Sequence, residues 1–116
     1  KLLEENPQIN LLVGFNEWST LGVGMAIKEL GLKDSVCAIG FDNNTECVGM
    51  LETGELDTLI VQNPFSMGYL AVMNAANILS SKKTESVIKT DVYVVDRSNM
   101  FSADVQKILF GFDKYD

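Results

Sequence analysis

Histidine is absent from the 116 residues. That removes the imidazole general base and every zinc site with a histidine ligand. Cysteine is scarce. Cys37 and Cys47 have neither CxxC spacing nor further partners, so no metal ribbon or disulfide framework is implied. Cys37 falls in an expected strand and Cys47 in the helix after it; both are read as buried thiols, with a disulfide between them as the alternative. Positive charge is thin: nine Lys and Arg stand against sixteen Asp and Glu, a net charge of −7. The basic residues never cluster beyond Lys82-Lys83, which excludes direct nucleic-acid contact by this segment, because phosphate contacts need concentrated positive charge. No apolar run approaches the about 18 residues of a membrane-spanning helix.

What is present is a soluble, globular balance, 47% hydrophobic and 22% charged, with material for one small domain and a core. The chain opens on Lys1 with neither an initiator methionine nor a signal peptide. Lys1–Asn6 reads as the tail of a helix broken by Pro7, as in a piece cut from something longer.

The chain is organised around Val36-Cys37-Ala38-Ile39-Gly40-Phe41-Asp42-Asn43-Asn44. A short apolar run stops at an acid and two amides, the pattern of a buried parallel strand whose carboxyl end presents Asp42. Leu11-Leu12-Val13-Gly14-Phe15 ends likewise in Asn16-Glu17, and Leu59-Ile60-Val61 ends in Gln62-Asn63-Pro64. Between them, strands at 9–15 and 58–62 alternate with helices at 18–30, 45–52 and 65–81. An extended stretch at 87–96, a turn at 97–100 and a last helix capped by Ser102 complete the reading. In the helix at 18–30, Val23, Ile27 and Leu30 form the apolar stripe. Gly22 and Gly24, each costing up to about 1 kcal/mol there, imply a helix lying flat on the sheet. In the helix at 65–81, Ala71, Ala75, Ile78 and Leu79 form the stripe, opposite Asn74, Asn77 and Ser81. The fold class expected is α/β, a mainly parallel open sheet with helices on both faces.

In such sheets ligands sit beyond the carboxyl ends of the strands, so Asn16, Asp42 and Gln62 are the candidate ligand-binding residues. Polar residues also end strands simply because they suit turns. Their chemistry is nevertheless coherent: an ionised Asp accepts, while Asn and Gln both donate and accept, matching adjacent hydroxyls on a sugar or polyol. A receiver-like or flavodoxin-like enzyme using Asp42 is the competing reading, but Gln62-Asn63-Pro64 supplies an amide where a receiver domain needs lysine. Glu17 suits the first turn of a helix through its dipole, and Trp18 fits a ligand or the core equally. Gly22-Val23-Gly24 sits mid-helix and is no dinucleotide fingerprint. Asn43-Asn44-Thr45 matches a glycosylation sequon, a pattern frequent by chance.

Several segments together resemble the type I periplasmic sugar-binding proteins, whose fold is shared by the ligand-binding domains of lac-repressor-like regulators. They are Asn6-Pro7-Gln8-Ile9-Asn10; Phe15-Asn16-Glu17 with Leu21-Gly22; Ile39-Gly40-Phe41-Asp42; and Val61-Gln62-Asn63-Pro64 with Met67-Gly68-Tyr69. The resemblance covers nearly the whole chain and matches the C-terminal portion of such a protein. It implies two lobes closing on a sugar, with Asn16, Asp42 and Gln62 as hydrogen-bonding ligands from the second. Residues 1–62 would be second-lobe βα units, 64–90 a segment of the first lobe, and 91–116 a return strand and C-terminal helix. The family's sugar-stacking aromatics lie largely in its earlier portion, so Phe15, Trp18 and Phe65 are not assigned that role.

The implied function is capture of a small sugar or polyol without catalysis, cofactor or metal, for the membrane permease of an ABC transporter outside the cytoplasm. The alternative is a cytoplasmic effector-binding domain acting on DNA through a separate headpiece. Three polar residues offer roughly 3–6 kcal/mol of hydrogen bonding, against about 4–15 kcal/mol lost on association. Millimolar affinity is therefore the most expected of this chain alone. The helix at 65–81, lacking its lobe, is expected to fold back, self-associate or stay bound to the rest of the protein.

Overall fold

The computed structural model describes residues 1–111; the end of the segment read as the C-terminal helix, residues 112–116, lies outside them. Four strands form one sheet in the order β1-β2-β3-β4. They are β1 (Leu11–Val13), β2 (Cys37–Phe41), β3 (Thr58–Gln62) and β4 (Val92–Asp96), with helices α1 (Leu2–Glu5), α2 (Glu17–Leu30), α3 (Thr45–Thr53), α4 (Pro64–Leu79) and α5 (Ala103–Phe110) between and around them. β1 and β2 run parallel with Leu11 opposite Cys37, and β2 and β3 run parallel with Phe41 opposite Ile60. The α/β class with a mainly parallel open sheet is the one expected; of the two faces expected to carry helices, α2 and α3 cover the same one, because the strand order runs in a single direction. Contacts divide the chain into two compact units, Lys1–Val61 with the segment from Val94 onward, and Gln62–Tyr93.

In the first unit the strands follow one another in space as in sequence. Successive right-handed crossovers in one direction leave their helices on one side of the sheet, and α2 and α3 do pack together: a Cβ on Gly24 would run into the Met50 sulfur and meet Leu56 at 3.5 Å. Strand alternation then separates two faces. Ala38, Gly40, Leu59, Val61 and Val95 are buried with Ile27, Val48, Leu51, Leu56, Met100 and Leu109. On the other side Leu11 and Cys37 are exposed, and Ile39, Phe41 and Ile60 are half-buried.

Cys37 therefore departs from the buried state expected of it. It points away from the helix-covered side, whereas Cys47 is fully buried; both are free thiols. Desolvation raises both thiols above the ordinary range, and the neighbouring Asp57 carboxylate adds to the effect at Cys37.

Other differences are local. β1 is shorter than the apolar run at 9–15, because the chain turns at Gly14, where a Cβ would lie 2.6 Å from the Thr20 backbone. α2 buries Thr20, Gly24 and Ile27, a stripe turned from the expected one; Leu30 is exposed, and Gly22 faces open space and needs no close approach. Only 92–96 of the stretch 87–96 is strand. Ser102 occupies the cap position of α5, yet its side chain makes no capping bond. At the opposite, C-terminal end of α5, Asn43 Nδ2 donates to the Leu109 carbonyl at 2.6 Å.

In the second unit, α4 starts on Asn63, whose side chain accepts from the Ser66 N–H at 3.0 Å. Pro64 fills its first turn, where a missing N–H is tolerated. None of its residues is buried. No helix among the described residues is long and apolar enough to cross a membrane.

Candidate functional site

The carboxyl ends of β1 and β2 are built by the start of α2. Asn16 caps that helix: its Oδ1 accepts from the Ser19 N–H at 2.8 Å, while Ser19 Oγ accepts from the Asn16 N–H at 3.1 Å. This reciprocal pair satisfies two donors that a helix start otherwise leaves open. The capping occupies the oxygen of the exposed Asn16 amide; its Nδ2 donates to no group among the described residues.

Asp42 follows β2 in the left-handed region, φ 70°, which Asp tolerates better than most residues. There its half-buried carboxylate reaches the next N–H of α2: Oδ2 accepts from Glu17 N at 3.2 Å. The positive end of the helix dipole favours that placement. Oδ1 takes no hydrogen bond among the described residues and is not sealed from solvent, so it remains available as an acceptor. The structure thus brings Asn16 and Asp42 to the same helix start. Gln62 is the exposed last residue of β3 and the first of the second compact unit.

Four features around these residues were not assigned from sequence. Asn44 caps α3 through Oδ1, 2.7 Å from Cys47 N, and its Nδ2 donates to Glu17 Oε1 at 3.1 Å. Glu17 therefore ties the starts of two helices together in addition to meeting the dipole. The exposed Phe15 ring rests on Phe41, centroids 5.9 Å apart, an apolar surface beside Asp42. Trp18 is 76% exposed, so it is not core. Thr20, fully buried, receives the Phe41 N–H on Oγ1 at 2.8 Å, and its own proton faces the Phe41 and Gly14 carbonyls at 3.1 and 3.3 Å. Only the Asn44 cap, three residues past an apolar strand and three before a buried helical position, had a legible signal.

The local charge is negative, from Glu17 and Asp42, with no cation paired to either among the described residues. Such a site repels anions. It suits a neutral ligand with hydroxyl donors and acceptors. No group of three Cys, Asp or Glu side chains among the described residues could hold a metal ion.

A parallel α/β sheet with polar groups at its strand ends defines a small-ligand-binding domain in outline. The family model described as periplasmic binding protein domain matches residues 1–83, and the chain belongs to that family. Over 94 residues it is 30% identical to a ribose import binding protein of Haemophilus influenzae, covering 81% of this chain and 32% of that protein. A ribose import binding protein of Bacillus subtilis is 33% identical over 87 residues, 75% of this chain and 28% of the relative. Among solved structures, a carbohydrate transporter solute-binding protein from Agrobacterium radiobacter in complex with D-arabinose superposes with a TM-score of 0.84. It is 32% identical, covering 93% of this chain and 37% of that one. The chain thus spans about a third of the length of the relatives it matches.

Proposed function

We propose that this chain supplies part of the sugar site of a solute-binding protein, with Asn16, Asp42 and Gln62 hydrogen-bonding the hydroxyls of a small sugar or polyol. The observation that carries the reading is Asp42, held on the Glu17 N–H through one carboxylate oxygen while the other takes no hydrogen bond among the described residues. An acceptor fixed before the ligand arrives loses less freedom on binding. The sugars named for the relatives, ribose and arabinose, are the first ligands to try.

The protein captures and releases its ligand without transforming it, works outside the cytoplasm, and hands the sugar to the permease of an ABC transporter. Residues 1–62 belong to one lobe, 64–90 to the other, and 91–116 return to the first. The separate compactness of Gln62–Tyr93 and the absence of any buried residue in α4 support that division.

Calorimetry with D-ribose and D-arabinose tests the proposal. This chain alone binds in the millimolar range at best, and Asp42→Asn weakens binding about ten- to a hundredfold, the worth of one hydrogen bond to a charged group. Unchanged affinity in Asp42→Asn, or chemical conversion of the sugar, would refute it.

A further inference from the structure

We infer that Thr20 is a positioning residue of the sugar site: its buried hydroxyl locks Asn16 and Asp42 into one frame. This rests on the proposed function, but it concerns a residue with no part in direct ligand contact. β1 pairs with β2 only as far as Val13 opposite Ile39. The next partner on that side would serve Phe41, but the chain has already turned at Gly14 to enter α2. The Phe41 N–H and carbonyl would be left without a strand to bond.

Thr20 takes the place of that strand. Its Oγ1 accepts the Phe41 N–H at 2.8 Å and lies 3.1 Å from the Phe41 carbonyl and 3.3 Å from that of Gly14. Both strand ends are shaped to admit it. A Cβ on Gly14 would stand 2.6 Å from the Thr20 Cα and N, and one on Gly40 would overlap the Thr20 methyl group and sit 2.9 Å from its hydroxyl. The Thr20 N–H also donates to the Asn16 carbonyl at 2.9 Å. One side chain therefore joins the turn that presents Asn16 to the strand residue immediately before Asp42. The Glu17 N–H bond to the Asp42 carboxylate forms only if that junction holds α2 against the end of β2.

The test compares Thr20→Val, which keeps the shape and removes the hydroxyl, with Thr20→Ser, which keeps the hydroxyl. Amide spectra and hydrogen exchange are recorded on the wild-type chain and both variants, with far-UV circular dichroism as the check of folding. In the wild type the Phe41 amide is protected like its neighbours in the ladder. In Thr20→Val its exchange rises at least tenfold, and the Glu17 and Asp42 amide resonances move. Affinity for D-ribose or D-arabinose, followed by chemical shift at high sugar concentration, falls about tenfold. Thr20→Ser restores all three readouts.

Unmoved Glu17 and Asp42 resonances in a folded Thr20→Val chain overturn the inference. So does a wild-type Phe41 amide that exchanges as an open one, a measurement that stands even if Thr20→Val does not fold. Loss of affinity in Thr20→Ser equal to that in Thr20→Val assigns the effect to packing and also overturns it. Asp42→Asn separates the two levels. If it leaves affinity intact, or if the wild type takes neither sugar, the site reading fails, and Thr20 is judged on the amide signals alone.

Discussion

α2 and α4 begin alike and end differently. Each follows a strand and is capped by an asparagine whose oxygen accepts the N–H three residues on, Asn16 from Ser19 and Asn63 from Ser66. α2 then buries Thr20, Gly24 and Ile27, whereas α4, longer and richer in apolar residues, buries none. Phe65, Tyr69, Val72, Ile78 and Leu79 are all exposed on it. A cap and an amphipathic stripe suffice to specify a helix, but most of a helix's stability in a protein comes from the surface it covers. α2 has that surface within its own compact unit, and α4 does not.

The contrast is broken or sharpened most strongly in the core beneath α2 and α3. Leu51 is fully buried, and Leu51→Ala is expected to destabilise the first unit by about 2–5 kcal/mol, read as a lower urea midpoint by circular dichroism. If Val72→Ala in α4 costs as much, the two helices are not different in kind. Next come the caps. Asn16→Ala removes the bond to Ser19 and costs about 0.5–2 kcal/mol, opening the amides of α2 to exchange. Asn63→Ala frays α4 without shifting the unfolding midpoint of the first unit.

A smaller effect lies at the end of β4. The Ser98 hydroxyl, then its backbone N–H, hold the Asp96 carboxyl below the ordinary carboxylate range. With the folded value depressed, the contribution is present above the unfolded carboxylate value of about 3.9 and fades as pH falls through the folded one. Ser98→Ala therefore raises the Asp96 titration midpoint seen by NMR and trims stability only above that window. Smallest for stability is Leu79→Ser on α4, within about 0.5 kcal/mol. It should instead reduce self-association in light scattering. A wild-type chain that stays monomeric at high concentration would show that its apolar stripe seeks no partner.

Much of the fold was legible because its signals are local. β3 and α3 fall within a residue of the expected bounds, since an apolar run ended by polar residues and a helix stopped by Gly54 announce themselves in short windows. The candidate trio was legible for the same reason. Asn16, Asp42 and Gln62 each end a β-rich run, and the parallel pairing of β1, β2 and β3 follows from the alternation of strands and helices. What escaped were features made by distant residues meeting: the rotated buried stripe of α2, the exposure of Cys37, the Glu17–Asn44 bond and the junction at Thr20. A threonine in the first turn of a helix reads as an ordinary polar residue until a strand end needs its hydroxyl.

By itself, then, the order of residues determined the α/β alternation, the places where strands stop and the chemical character of what they present there. These depend on periodicity and on side-chain chemistry within a few neighbours. Only the tertiary structure decided which face of the sheet is covered, which oxygen of Asp42 is held and which buried hydroxyl stands in for a missing strand. Those outcomes depend on backbone donors and acceptors from separate segments finding one another, and no local pattern encodes that meeting.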